Sequence, residues 1–430
     1  MSLSDSASVD SLDSSVSEAA TASTTTTSPA TRRRKHKKQL QSIGRVIGRI
    51  LQPIRGCPIR RANVIEQLRQ NDDEFSILKL DGRHTNLCFK KLLEAIKENT
   101  TVRNVQIHGG IVANLPQEVQ HLLWRALGDL PNLEEAHFKY FSESPLHLDG
   151  LNCFLVRAKG LRKLSIYDSD LTSKDVEDGL VSLEEHTRLK TVFFSHLCLP
   201  NDRVFDPILD SLLKAPKLSN ITIRIPRRRR NLIKTETLQA LLQSKTLKIL
   251  ELRRTVLSDD QIVQLAEDLV TSKLKEVTVQ CDEKLRKNCC LAIGKMLKVN
   301  NCLTRLEVWG QAVEEDGFVN IIDSLHANTT LKILHLSHDI QDRGHDALTR
   351  LFEANRSLET LYMRSFGEPD MMARTDYFLK LNSTNLRGLQ LDVNMDRGEM
   401  VEKMVKHSTD INHLFFLLRG NPNFISCNSI

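Results

Sequence analysis

The sequence predicts an α/β solenoid, a right-handed coil of short parallel strands on an inner face with helices outside. Three observations carry this reading. A six-residue unit with apolar residues at its first, fourth and sixth positions, typified by Leu331-Lys332-Ile333-Leu334-His335-Leu336, recurs along the chain. Its thirteen starts are separated by intervals of 25 to 31 residues with a mean of 28, and a period in this range marks a solenoid. An amphipathic helical pattern follows each unit about a dozen residues later.

The starts are Phe75, Val102, Leu133, Leu161, Leu189, Leu218, Leu247, Leu274, Leu303, Leu331, Leu358, Leu386 and Ile411. Each unit is too short for a helix, and its end alternates as Leu334-His335-Leu336 does, so it reads as a strand. The helical run is clearest at 259–269, where Ser258 and Asp259 supply a capping signal. The same face recurs as Phe89, Leu92, Leu93, Ile96 and as Phe318, Ile321, Ile322, Leu325. Helices are wider than strands, so the stack is expected to curve into a horseshoe with a concave inner sheet.

The flanks differ from the repeats. Residues 1–31 are dominated by Ser, Thr and Ala and carry net charge −4. They hold too little apolar surface to offset ordering entropy and read as disordered. Residues 32–61 carry +11 without an acid, which leaves 62–430 at −1 of the net +6. Arg32, Arg33, Arg34, Lys35, Lys37 and Lys38 form a candidate nuclear-import signal. Leu40, Ile43, Val46, Ile47, Ile50 and Leu51 lie at helical spacing and end at Pro53, as a helix capping the first repeat would. At the other end, Ile411 to Arg419 loses the alternation and reads as a second cap. The expected domains are therefore a tail with its basic cluster (1–38), an N-terminal cap (39–74), the solenoid (75–410) and a C-terminal cap (411–430).

These units resemble leucine-rich repeats, specifically the long, helix-bearing, ribonuclease-inhibitor-like type, over roughly 70–420. The resemblance implies a binding scaffold and leaves the partner open. One departure is visible. The family carries Asn or Cys at the ninth repeat position, where it bonds loop backbone, and here only Asn394 matches. Irregular loops after the strands are expected.

On the inner face, alternation exposes the third, fifth and seventh positions of each repeat. Glu307, Trp309, His335, Tyr362 and Arg364 cluster on three consecutive strands. His137, Tyr167 and Phe193, with Lys139, form an earlier group. Aromatic and Arg side chains dominate binding hot spots, so both groups are candidate partner-binding residues. A basic rim is also expected from Arg224, Arg227, Arg228, Arg229 and Arg230, with Arg253 and Arg254 in the next repeat.

Catalysis is not expected. A His335–Glu307 pair has no nucleophile fixed beside it, and an open concavity does not exclude water. Gly294-Lys295 lacks the earlier glycine of a phosphate-binding loop. The nine cysteines, among them Cys281, Cys289, Cys290 and Cys302, show no paired metal-ligand spacing, so no metal and no cofactor is predicted. The scattered, odd count and the lack of an export signal or an apolar run of 18 residues suggest an intracellular chain, cytoplasmic, with the nucleus as a second location through the basic cluster. The expected function is a protein–protein interaction scaffold, with an import receptor as a second partner. The alternative is a nucleic-acid-associated protein using the 32–61 arm and the Arg227 to Arg230 loop.

Overall fold

The structure is a computed structural model that describes residues 62–81, 88–141, 149–171, 180–198, 205–225, 233–338, 342–365 and 388–393. All lie in the larger of the two units into which the chain divides, Arg55–Ile430. The tail, the basic cluster, the predicted helix at 40–51 and the predicted C-terminal cap lie outside the described residues.

One open sheet organises the molecule. Its strands are β1 (Ile77–Leu80), β2 (Asn104–His108), β3 (Glu135–Phe141), β4 (Lys163–Ser169), β5 (Thr191–Ser195), β6 (Asn220–Arg224), β7 (Ile249–Val256), β8 (Glu276–Lys284), β9 (Arg305–Val313), β10 (Ile333–His338), β11 (Thr360–Ser365) and β12 (Gly388–Val393). They pair in sequence order, β1 to β12, without a crossover. Every pairing is parallel. Each strand begins two residues after a predicted repeat start. This is the α/β solenoid of parallel strands and intervening helices that the period predicts.

The intervening helices are α1 (Ala62–Gln70), α2 (Phe89–Glu98), α3 (Gly109–Ala113), α4 (Gln117–Gly128), α5 (Asp149–Arg157), α6 (Phe205–Lys214), α7 (Thr235–Leu242), α8 (Asp259–Leu269), α9 (Lys287–Val299), α10 (Glu315–Ser324) and α11 (Asp342–Ala354). Leu180–Glu185 forms a 3₁₀ helix in place of an α-helix. The longest interval, from Val102 to Leu133, holds two helices, α3 and α4. The α8 N-terminus is closed by a capping box: Ser258 accepts from the Gln261 amide, and the Gln261 side chain accepts from the Ser258 amide. That arrangement satisfies two of the donors that a helix start leaves open.

The repeat leucines meet the helices in one continuous core. Leu334 and Leu336 of β10 are fully buried, as are Phe318, Ile321 and Ile322 of α10. Trp124 packs edge-on against Phe138 and Phe154 and fills the core of the longest repeat. Gly150 is required there, because a Cβ would lie 2.0 Å from the Trp124 ring.

A hydrogen-bond ladder absent from the sequence reading runs along the turns that lead into the strands. Asn99, Asn300, Asn328 and Asn355 are buried three residues before a repeat start. Each carboxamide donates to a carbonyl of the preceding repeat: Leu68 (2.8 Å), Leu269 (2.5 Å), Leu297 (2.7 Å) and Leu325 (2.7 Å). Each also accepts from the two amides that open its own strand segment, as Asn328 does from Thr330 (3.0 Å) and Leu331 (2.8 Å). The ladder therefore lies at the turn opposite the ninth position, where the family pattern fails. On that other side the register shifts after Leu252, Gln280 and Leu336, as the departure predicts.

His186 stands at the ladder position of its repeat. It is fully buried, and its ring approaches the Leu155 carbonyl without forming a well-made hydrogen bond. Burial, aided by the Lys159 charge, pushes it down to about 4 against the weaker pull of the Leu155 carbonyl and Glu185. Its folded pKa thus lies below its unfolded value. As pH falls from about 6.5 to 4, the unfolded chain takes up a proton that the folded chain refuses, and stability declines by about 3 kcal/mol. His186→Asn restores the ladder residue and is expected to flatten this part of the curve of urea midpoint against pH. A slope equal to that of the parent would refute the assignment.

Candidate partner-binding face

The helices cover one face of the sheet and leave the other to the third, fifth and seventh repeat positions. Along that open face the side chains form one continuous belt. It begins at Lys139 on β3, whose ammonium lies 5.2 Å from the Tyr167 ring centre. Tyr167 packs on Phe193 at 4.9 Å. The Arg224 guanidinium covers Phe193 at 5.1 Å.

Glu251 joins this group to the next. Its carboxylate binds Arg224 (2.9 Å) on β6 and Arg253 (2.5 Å) on its own strand. Arg253 then spans β8 and reaches Glu307 on β9 at 3.3 Å. The same guanidinium lies 5.4 Å from the Trp309 ring centre. Trp309 packs on His335 at 3.6 Å, and His335 stacks on Tyr362 at 5.5 Å. From β3 to β11 the belt crosses eight strand spacings, about 38 Å.

Glu307 is the buried centre of the second half, with its residue only 2% exposed. It accepts from Trp309 Nε1 (2.9 Å) and Arg305 Nε (2.6 Å), and Arg305 makes a second ion-pair contact through Nη2. Burial acts most strongly on the carboxyl and pushes its pKa up. The hydrogen bonds from Trp309 and Arg305 and the charges of Arg305 and Arg253 together outweigh it, and hold the carboxyl below its ordinary value. The carboxylate consequently fixes the indole, since its Nε1–H is held inward.

Two features define what this face offers. First, most of its charges are paired within it: Glu251 and Glu307 serve Arg224, Arg253 and Arg305, and Lys79–Asp81 and Lys163–Glu135 pair at 3.9 Å, while the Lys139 ammonium lies against the Tyr167 ring. Second, Tyr167, Phe193, Trp309 and His335 each pack against a neighbour in both directions along the belt.

The predicted residues fall as follows. Glu307, Trp309, His335 and Tyr362 come together, and so do Tyr167 and Phe193. His137 lies apart from the stack, bonded to Glu135 at 3.2 Å. Burial chiefly, with the Lys163 and Lys139 charges, lowers its pKa against the opposing Glu135. Arg364 is placed by register between Ser337 and Asp392, and its side chain lies outside the described ones. Of the predicted rim, Arg224 and Arg253 belong to the belt. Arg254 sits at the strand end with its Nη1 3.3 Å from His196. Arg227 to Arg230 lie outside the described residues, as do Arg32 to Lys38. Glu251, the residue that joins the two halves, is one that sequence reasoning missed. Its only signal is a carboxylate at a fifth position beside two seventh-position arginines.

Burial raises the Cys289 thiol to about 11 and the Cys290 thiol to about 12, which makes both poor nucleophiles.

No family model matches the chain, and no curated protein matches it. Among solved structures, it is similar at 15% identity to the TLR13–ssRNA13 complex, with TM-score 0.42, covering 74% of this chain and 39% of that one. It is also similar at 15% identity to the complex of Rad7 and Elc1 in yeast, with TM-score 0.43, covering 80% of this chain and 94% of that one. The chain thus spans well under half of the TLR13 chain. Neither likeness bears on what this chain binds.

Proposed function

We propose that this chain is a non-catalytic scaffold of the ribonuclease-inhibitor-like type that holds another protein on the open, concave face of its sheet. The observation that carries this reading is the belt, which is closely packed, internally ion-paired and built from aromatic and arginine side chains. A preorganised surface of this kind loses little side-chain entropy on binding. Its ring edges and arginine stems suit a folded protein or an extended segment of one. Caps at 39–74 and 411–430 would close the solenoid, and the Arg32–Lys38 cluster would bring an import receptor and nuclear entry to an otherwise cytoplasmic chain.

Nucleic acid suits the belt less well. Single strands bind where bases stack on open ring faces above a positive groove, and here the rings pack on one another and on arginines, with two carboxylates set among the cations. The two readings separate by salt. Protein binding through an internally ion-paired belt should depend only modestly on salt between 50 and 200 mM, whereas a chain neutralising 6–10 phosphates loses about a thousand-fold or more.

The test is proximity labelling in the source cell, followed by affinity measurement with the captured partner. Trp309→Ala with Tyr362→Ala should weaken it by about thirty-fold or more, as two central hot-spot residues would. A partner list and affinity unchanged by this pair of substitutions would sink the proposal.

A further inference from the structure

The turns that lead into β6, β7, β8 and β9 form one edge of the sheet, and that edge is basic. Its four segments, 214–219, 243–248, 270–275 and 298–304, hold seven lysines and no acid. Lys214 pairs with Glu184 at 2.7 Å. The other six, Lys217, Lys245, Lys248, Lys273, Lys275 and Lys298, are exposed, and no described carboxylate pairs with them. On either side of this stretch the same edge is balanced. Lys159 pairs with Glu185 (2.6 Å), Arg162 with Glu134 (3.6 Å) and Lys332 with Glu359 (2.8 Å).

The backbone sets these lysines in a row. The Lys248 amide donates to the Ser219 carbonyl at 2.7 Å, the Lys275 amide to the Lys248 carbonyl at 2.8 Å, and the Thr304 amide to the Lys275 carbonyl at 2.7 Å. Lys248 and Lys275 are thus neighbouring rungs, about 4.8 Å apart. Buried side chains fix the turns from within: Ser272 donates to the Leu242 carbonyl at 2.7 Å, and Asn300 to the Leu269 carbonyl. Of the nearest acids, Asp268 is engaged by Gln243 (3.4 Å) and Gln264 (3.3 Å), and Glu276 stands at an inward third position beside Arg305. Glu267 is exposed three residues before Val270, one acid against six lysines. Two valines share the edge. Val270 closes α8 and Val299 ends α9, and they are 41% and 60% exposed. A single exposed valine needs no explanation. These two stand at equivalent places on adjacent helices, about 8–10 Å apart, with lysines around them.

We propose that this edge docks the chain on an anionic lipid surface. The lysines meet the headgroup charge, and the two valine side chains enter the boundary between headgroups and acyl chains. Charge and apolar contact act together, since either signal alone anchors weakly. Lysine suits a diffuse negative surface, because it is a point charge without the fork that arginine presents to a single phosphate. Like charges gathered without acids also repel one another, and an anionic surface relieves that repulsion. Nucleic acid fits the edge less well. No aromatic side chain lies in the four segments for a base to stack on, and the valines would find no apolar partner. The edge shares no residue with the belt, so a partner held there and a membrane held here do not compete for side chains.

Flotation of the full chain with vesicles tests this, using phosphatidylcholine alone and phosphatidylcholine mixed with phosphatidylserine. The basic cluster can bind the mixed vesicles by itself. Every variant is therefore measured in a full-length chain with Arg32, Arg33, Arg34, Lys35, Lys37 and Lys38 each replaced by Gln. That cluster-neutral chain should float only with phosphatidylserine present. Lys248→Glu with Lys275→Glu should weaken binding about twenty-fold or more, at about five-fold per lysine. Val270→Ser with Val299→Ser should weaken it about five-fold and leave binding to a single-stranded RNA unchanged. Lys90→Glu with Lys91→Glu, the same change of charge on exposed positions of the first repeat, should change it by less than about two-fold, because distant charges are screened. All the substituted side chains are exposed, so the urea midpoints should match the parent, which separates lost binding from lost folding. A cluster-neutral chain that ignores phosphatidylserine, or that responds to Lys90 and Lys91 as strongly as to the edge pair, would overturn the proposal. So would vesicle binding indifferent to the valine pair, and RNA binding that depends on Lys248 and Lys275 would then assign the edge to nucleic acid.

Discussion

Asn328→Ala is expected to lower the unfolding free energy by about 3 kcal/mol. The carboxamide is 4% exposed and holds two repeats together. It donates to the Leu297 carbonyl at 2.7 Å and the Asn300 carbonyl at 3.3 Å, and it accepts from the Thr330 and Leu331 amides at 3.0 and 2.8 Å. Alanine leaves four backbone groups without a partner at a place closed to water. Each such group costs about 1–3 kcal/mol, and partial relaxation of the turn recovers some of the total. Aspartate keeps the two acceptors but turns an anion toward two carbonyl oxygens, so it should be no better. The neighbouring Asn301 is exposed, and Asn301→Ala should stay within about 0.5 kcal/mol. Urea denaturation reads both. A loss below about 1 kcal/mol at Asn328 would show that the ladder merely accompanies the fold.

That ladder also shows where sequence reading stops. The solenoid was legible because burial is periodic: Leu331, Leu334 and Leu336 repeat every 28 residues, and every described strand keeps the phase they set. The ladder was legible in principle. Asn99, Asn300, Asn328 and Asn355 each stand three residues before a repeat start, but the expected asparagine belongs to the other turn, and attention to the ninth position misses them. The aromatic clusters were legible as residues and not as a surface. Arg253 meets Glu307 across 54 residues and two strand spacings, and nothing in the local pattern says that a long guanidinium will bypass its neighbour. The left-handed backbones of Tyr140, Asp168, His196 and Arg254, all at the eighth repeat position, were hidden for a different reason. Asp and His tolerate that conformation, while Tyr140 and Arg254 carry no signal for it at all.

The arrangement around Glu307 leads to the second large effect. Glu307→Ala should destabilise the chain by about 2 kcal/mol and weaken partner binding at least as much as loss of Trp309 does. The carboxylate is buried, so its removal takes from Arg305 the charge that holds it and leaves Arg253 with Glu251 alone. Both arginines keep about a third of their surface in water, at 32% and 37%, so the penalty falls below that of a fully buried pair. The acid side of the stability curve should change as well. The Glu307 carboxyl is held below its ordinary value in the folded chain. Its contribution is therefore present above the unfolded pKa and is lost as pH falls through the folded one. Glu307→Gln removes that loss while keeping an acceptor for the Trp309 indole. A triple variant with Arg253→Met, Glu307→Leu and Arg305→Met separates stability from recognition. Replacing a whole ion-pair group by apolar side chains commonly restores stability, but it also removes the guanidinium over Trp309 and the anchor of the indole. If the triple variant is stable and no longer binds, the network exists to shape the belt. If it is stable and binds as the parent does, the belt owes its recognition to the rings alone, and Glu307 is a structural residue.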